Sequence, residues 1–376
     1  MEAERGFQAV SALRLQDQVK ALALEAGFAD AGIAPVPVPG SETDTEHRAR
    51  YREWVDAGRA GEMEYLKRTN EEGQLIRSSL RIAAPWARSV IVCAANYNSL
   101  APRSVDPAPA GAGWIARYAW SGQEDGRPSD YHKVLLARLR KLEAALFQKL
   151  GSFESKCYVD TGPLVEREAA RLAGIGWTGK NTCTLNQELG SWFFLGVILT
   201  SLPVPEDAAT LPAADRCGSC TRCIDACPTN ALIAPRQMDA SRCISYLTIE
   251  KRGAIDEQLR GGMGRQIFGC DICQDVCPWN RKASVANDLQ LRPRAALVNP
   301  ALEWLASLDR DDFGKLFFGS PIKRARYEGL RRNVAIAMGN SGLPEYLPTL
   351  QEWASGTEEV LADAARWAIR QIENKG

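Results

Sequence analysis

Eleven cysteines occur in 376 residues, and most of them fall between Cys217 and Cys277. They read Cys217-x-x-Cys220-x-x-Cys223-x-x-x-Cys227-Pro228, then Cys243, then Cys270-x-x-Cys273-x-x-x-Cys277-Pro278. The first run has the spacing that holds a 4Fe–4S cluster: closely spaced thiolates turn toward one cubane face, and the proline ends the loop. Where two clusters share such runs, the fourth cysteine of each run ligates the other cluster. That rule assigns Cys217, Cys220, Cys223 and Cys277 to one cluster. Cys227, Cys243, Cys270 and Cys273 fall to the second. The second run lacks its first cysteine, and the distant Cys243 takes that place. Disulfides and structural zinc are the other readings; zinc would normally use two pairs of Cys or His, leaving the second run unexplained.

Three further stretches have residue types that chemistry uses. Asp160 closes Ser155-Lys-Cys-Tyr-Val-Asp160, which reads as a strand, just before the turn Thr161-Gly162-Pro163. Ligands gather at the carboxyl ends of strands in α/β sheets, yet an Asp there is equally a turn or capping residue. The residues alone leave both open. Asp130-Tyr131-His132 approaches the D-x-H-x-x-G pattern in which His ligates cobalt, but Leu135 stands in the place of the glycine. The alternative is that His132 merely opens the helix that follows. Gly174-Ile-Gly176-Trp-Thr-Gly179-Lys180-Asn181 superficially matches two nucleotide motifs. As a P-loop it has Asn181 where Ser or Thr should stand, and as a dinucleotide fingerprint it follows a helix instead of a strand. It reads as a helix end and a tight loop.

The elements that must position these residues follow from periodicity. Apolar spacing predicts helices over 8–26, 45–68 and 133–150, the last with Leu135, Leu136, Leu139, Leu142, Leu146 and Leu150. Buried strands are predicted over 89–97 and 191–200, and a short helix runs from the 161–163 turn to Leu172. Residues 99–113 form a long Pro-, Gly- and Ala-rich loop of the kind that is often functional. Alternating strands and helices point to an α/β domain over 1–204. The cysteine segment makes a second domain over 205–290. Helices over 325–340 and 358–373, with another between them, make an all-α third domain over 291–376 that resembles HEAT-type repeats. Basic and acidic residues balance at 46 each, so a surface for a polyanion must be local. Basic runs occur at Lys251-Arg252 and at Lys323-Arg324-Ala325-Arg326 with Arg331-Arg332. Two histidines exclude a histidine-rich metal site. No apolar run is long enough to span a bilayer, and no signal peptide is evident. Cluster thiolates need reducing conditions, so the expected location is the cytoplasm.

Taken together, Val159-Asp160-Thr161-Gly162-Pro163-Leu164-Val165-Glu166-Arg167, the Gly174–Asn181 loop, the two cysteine runs, Arg242-Cys243-Ile244-Ser245-Tyr246-Leu247-Thr248 and Gly269-Cys270-Asp271-Ile272-Cys273 resemble the epoxyqueuosine reductases over nearly the whole chain. The resemblance implies a nitroreductase-like α/β (α+β) domain that binds cobalamin, a ferredoxin-like domain with two 4Fe–4S clusters, and reduction of epoxyqueuosine to queuosine at the wobble position of tRNA. It implies Asp160 as proton donor, with Asp130 as the alternative. It implies cobalamin contacts from Arg77, Ala116, Asp160, Thr184, Asn186, Leu195, Ser245, Asp271 and Ile272; because His132 sits in a broken motif, no histidine is expected on cobalt. Lys251 and Arg252 are expected to hold the anticodon loop, and Arg324, Arg326, Arg331 and Arg332 the stem. Expected partners are the tRNA and a low-potential electron donor of flavodoxin or ferredoxin type, with the protein a monomer. The competing readings are a dehalogenase-like cobalamin reductase of small molecules and a non-catalytic electron carrier. The carrier would leave residues 1–204 without a role.

Overall fold

The structure is a computed structural model that describes residues 15–123, 125–205 and 210–374. It divides into two compact units, neither of them a continuous stretch of chain. The first comprises residues 1–98, 131–220 and 278–285; the second comprises 99–130, 221–277 and 286–376. The 99–130 excursion belongs to the second unit and residues 278–285 to the first.

The first unit is built on a four-stranded sheet of β1 (Asp30–Pro35), β2 (Ser89–Asn96), β3 (Ser155–Tyr158) and β4 (Phe193–Thr200) in the order β1-β2-β4-β3. Every pairing is antiparallel. Strand–helix alternation along the chain therefore yields an α+β unit and no parallel sheet, because long connections let each strand return in the opposite direction. Strand β2 is rich in Val and Ala and β4 in Phe and Leu, and both are buried on both faces, as their continuous apolar runs require. Helix α1 (Tyr131–Leu150) covers one face; Leu135, Leu139, Leu142 and Leu146 are fully buried at helical spacing. The opposite face packs Ala34, Val90, Val92 and Val197 against Ala169 and Ala170 of α2 (Glu166–Leu172). The helix expected over 45–68 is shorter, Glu42–Asp56, with turns and a single 3-10 turn after it. The helix of 8–26 is seen over 15–25, its earlier residues lying outside the described ones.

The second unit holds most of the cysteine segment and the helical tail. The strand 266–268 pairs in parallel with Trp114–Ile115, and α3 (Ile244–Ile249) lies beside it. The tail contributes α4 (Arg326–Ser341), α5 (Leu347–Ser355) and α6 (Glu359–Glu373). Helices α4 and α6 approach closely at Gly339, where an added Cβ would come within 2.6 Å of Ala368. The loop over 99–113 is tied down: Ser104 donates to Asp275 Oδ2 from both its N–H and its hydroxyl, at 2.7 and 2.6 Å.

Candidate active site

Asp160 stands two residues beyond the end of β3 with φ 56°. Asp accepts this left-handed backbone more readily than most residues. The Thr161 N–H closes the turn on the Val159 carbonyl at 2.6 Å. Tyr131 Oη donates to Asp160 Oδ2 at 2.9 Å, and His132 Nε2 lies 3.5 Å from the same oxygen. Tyr131 is clamped in turn, its ring stacked at 4.1 Å on Phe194 of β4. The Asp160 side chain keeps 67% of its exposure, so it is gripped on one side and open on the other. The His132 hydrogen bond holds its carboxyl below the usual range; partial burial pulls the other way, and the Tyr131 bond adds to the lowering.

Glu166, at the start of α2, has the opposite environment. Its Oε1 is buried and finds no hydrogen-bond partner among the described residues. Burial pushes its pKa up to about 7, and the charge of Asp160 adds to the rise. Two carboxyls six residues apart, one in the turn and one at the start of α2, are thus driven apart, the arrangement by which acid and base roles are divided. A carboxyl raised in the folded state keeps a proton that the unfolded chain has released. Its stabilising effect is complete below the unfolded value of 4.5 and is lost as pH rises through about 7. Glu166→Gln should therefore gain stability relative to wild type between about pH 5 and about pH 8, by up to about 3 kcal/mol at about 1.4 kcal/mol per unit. Melting temperatures across that range check it; parallel profiles for the two proteins would mean that Glu166 titrates as an ordinary surface carboxyl.

The remaining site candidates of this unit frame the same loop or the hairpin beyond it. Arg77 Nη1 donates to the Leu164 carbonyl at 2.8 Å, fastening the chain after Asp160. Gly174, with φ 71°, ends α2, and Trp177–Thr178 pairs with Thr184–Leu185 as a hairpin. Thr184 Oγ1 and Trp177 Nε1 are both buried and have no hydrogen-bond partner among the described residues. Buried polar atoms of a native fold normally have partners, so these two fit a ligand whose rim presents amides, as a corrin ring does. The Asn186 side chain is already occupied, donating to the Ile175 carbonyl at 2.7 Å and accepting from the N–H groups of Glu188 and Leu189. Leu195 pairs with Ala94 in the sheet.

In the second unit, the Ala116 N–H donates to the Phe268 carbonyl at 2.7 Å. Gly269 has φ 70°, and a Cβ there would come 2.5 Å from Ala116 Cβ; both features demand glycine. Asp271 is buried and its Oδ2 accepts from the Arg117 N–H at 2.7 Å. Ser245 lies in α3, whose first turn follows Cys243, and Ile272 opens the turn Ile272–Asp275. Thr248 Oγ1 accepts from the Gly269 N–H at 2.9 Å, joining the Cys243 segment to the Cys270 segment. Burial raises the Cys243 and Cys270 thiols, and the charge of the nearby Cys227 adds to the rise of both. Cys227 Sγ also accepts from the Ala231 N–H at 3.3 Å, the kind of bond that tunes a cluster's potential. Cys217 and Cys220 belong to the first unit, and Cys223 and Cys277 to the second.

Residues 216–280 match the family model described as a 4Fe-4S double cluster binding domain. Residues 77–161 match that of epoxyqueuosine reductase QueG, DUF1730. The epoxyqueuosine reductase of Vibrio cholerae is 39% identical over 96% of this chain and 93% of that protein. The chain belongs to the epoxyqueuosine reductase family. The Escherichia coli epoxyqueuosine reductase is 38% identical over 96% of this chain and 91% of its own. Among solved structures, an epoxyqueuosine reductase with a tRNA-Tyr epoxyqueuosine-modified tRNA stem loop has a TM-score of 0.81 and 29% identity, covering 96% of this chain and 91% of that one.

Within this family frame, the basic residues expected to meet tRNA divide sharply. Arg332 is 1% exposed, and its guanidinium donates to the carbonyls of Leu247, Lys251 and Gly253 at 2.7 to 2.9 Å. It is a structural clamp on α3 and the turn after it. Arg332→Gln should lower stability by about 2–4 kcal/mol, since it orphans buried carbonyls; a chemical denaturation curve reads this, and an unchanged midpoint would refute it. Arg324 is engaged by Glu250 at 2.9 and 3.0 Å, and Arg331 by Glu358 at 2.6 Å. Arg252 donates to the Ile249 and Arg324 carbonyls. Arg326 is exposed, with φ 62°, and Lys251 is half-buried. Asp130 is half-buried just ahead of α1.

No local pattern in the sequence marks Tyr131 and His132 as holders of Asp160, or the buried Oε1 of Glu166. Tyr131 and Asp160 stand 29 residues apart, a distance no local pattern reports. Glu166 lay within the motif quoted for Asp160, and only its burial distinguishes it from an ordinary first-turn Glu. Among the described residues no helix is long and apolar enough to cross a membrane.

Proposed function

We propose that this protein reduces the epoxide of epoxyqueuosine to the alkene of queuosine at the tRNA wobble position, using cobalamin and two 4Fe–4S clusters. The observation that carries this reading is full-length kinship with enzymes named for the reaction. Cobalamin supplies a low-potential reductant for carbon–oxygen cleavage when bound, and the clusters pass it electrons singly. The residues that would hold cobalamin are Arg77, Ala116, Asp160, Thr184, Asn186, Leu195, Ser245, Asp271 and Ile272, with a nitroreductase-like α/β fold as their main support.

Asp160 is the proton donor to the departing oxygen. A Bacillus subtilis epoxyqueuosine reductase, 28% identical with a TM-score of 0.81, has been solved with a catalytic aspartate loop swung out of its active site. The open side of Asp160 and its left-handed turn suit the same part. Its lowered pKa leaves it ionised in the free protein, and substrate covering the carboxylate raises the pKa by desolvation and lets it take up a proton. His132, 3.5 Å away, is the nearest group to hand that proton on. Asp130 remains the alternative donor.

The HEAT-like tail and the basic residues Lys251, Arg252, Arg324 and Arg326 position tRNA by its phosphates. Replacing Arg252, Arg324 and Arg326 with Gln should weaken binding of full-length tRNA and make its salt dependence shallower, by about one unit of slope for each phosphate no longer neutralised. A salt titration with an unchanged slope would limit the tail to a structural role. The three functional segments are those of residues 1–204, 205–290 and 291–376, acting as a cytoplasmic monomer. The decisive test is incubation with epoxyqueuosine-containing tRNA, cobalamin and a reductant, read by nucleoside mass spectrometry. Absence of queuosine with a fully loaded protein would refute the reading.

A further inference from the structure

The chain carries no net charge, and many of its surface cations are already neutralised. Arg310 pairs with Glu328, Arg324 with Glu250, Arg331 with Glu358 and Arg370 with Glu257. One group within the first unit is different. Three segments meet there: the hairpin at 177–180, the chain at 215–220, and the turn at 278–282. Trp279 packs edge-on against Trp177 at 5.0 Å, and its Nε1 donates to the Arg216 carbonyl at 3.3 Å. Lys180 Nζ donates to the Gly218 carbonyl at 2.6 Å. These interactions bring Lys180 and the 278–282 turn, which carries Arg281 and Lys282, beside the short loop of Arg216, Cys217 and Cys220. Among the described residues none of the four is in an ion pair with a carboxylate. Arg216, Arg281 and Lys282 are exposed, and both cysteines are partly exposed. The one acid on the loop, Asp215, is exposed and accepts the Cys217 N–H at 2.9 Å.

We infer that this basic collar is the docking site of an acidic one-electron carrier, which delivers electrons to the cluster held by Cys217 and Cys220. A partly exposed thiolate pair is where an electron can enter over a short distance. Unneutralised cations around it draw in a partner of opposite charge and set its orientation. Encounters of redox partners are small and transient, and four cations around one loop match that scale. Each encounter oxidises the reduced carrier by one electron and reduces the cluster by one. Two encounters supply the two electrons that, with two protons, convert one epoxide to an alkene and water. The inference rests on the proposed cluster ligation.

The test compares the reconstituted holoprotein with the triple variant Arg216→Gln, Arg281→Gln, Lys282→Gln, both verified for iron content. Cluster bleaching is followed by stopped flow with reduced flavodoxin as the acidic carrier and, separately, with dithionite. The variant should be reduced by flavodoxin roughly tenfold more slowly at low salt, and the wild-type rate alone should fall steeply as salt is added. Dithionite should bleach both proteins equally. Equal flavodoxin rates and equal salt dependence in the two proteins would overturn the inference. So would an unchanged flavodoxin rate with weakened tRNA binding, which would make the collar a nucleic-acid contact. Failure of dithionite to bleach even the wild type would refute the cluster ligation itself, and the collar with it.

Discussion

Asp160→Asn is expected to lower turnover about a hundredfold to ten-thousandfold, the usual loss when a general acid is removed, while iron and cobalamin stay bound. The amide keeps the shape of the carboxyl and can still accept from Tyr131, so the loop should hold its turn. The pH profile sharpens the test. His132 lowers the Asp160 pKa, so at neutral pH only a small fraction of the free protein holds the proton. Wild-type kcat/KM should therefore rise as pH falls toward the acid range, and Asp160→Asn should lose that dependence. Removing the largest cause of the lowering, by His132→Ala, should shift the profile to higher pH. Near-normal turnover in Asp160→Asn together with an inactive Asp130→Asn would transfer the role to Asp130.

Cys243→Ala should lose one whole cluster, reducing anaerobically reconstituted iron from about eight to about four atoms per chain, and turnover should fall to background. Cys243 is the proposed ligand that the ferredoxin spacing does not supply, and its segment is held in place by a specific piece of architecture. The Gly269 N–H on Thr248 brings the α3 segment against the Cys270 run, and Asn333 donates to the carbonyls of Thr248 and Ile267 at 2.9 Å from beneath. The cluster assigned to Cys217, Cys220, Cys223 and Cys277 should survive, because none of its ligands lies on α3. Unchanged iron in Cys243→Ala would overturn the division of ligands.

The cysteine runs were legible from sequence because a cluster's ligands are set by short covalent spacings, which survive any packing of the chain. The leucine stripe of α1 and the apolar runs of β2 and β4 were legible for the same reason: a period of 3.6 or a continuous buried strand is a local property. So was the turn zone at 160–163, marked by Asp, Gly and Pro. Tertiary structure alone decided the rest. Strand–helix alternation did not reveal that every strand pair of the main sheet is antiparallel, since strand direction depends on where each connection returns. A basic run in sequence shows how many charges exist but not which are free. Folding buried Arg332 under α3 and committed Arg324 and Arg331 to Glu250 and Glu358, while among the described residues the scattered Lys180, Arg216, Arg281 and Lys282 are in no ion pair with a carboxylate. The same holds for Asp160. Its residue type and position made it a candidate acid, but its proton affinity comes from Tyr131 and His132, held by α1 packing on β4. Identity and spacing are written in the chain, whereas burial and charge partnership, which set reactivity, exist only after distant segments meet.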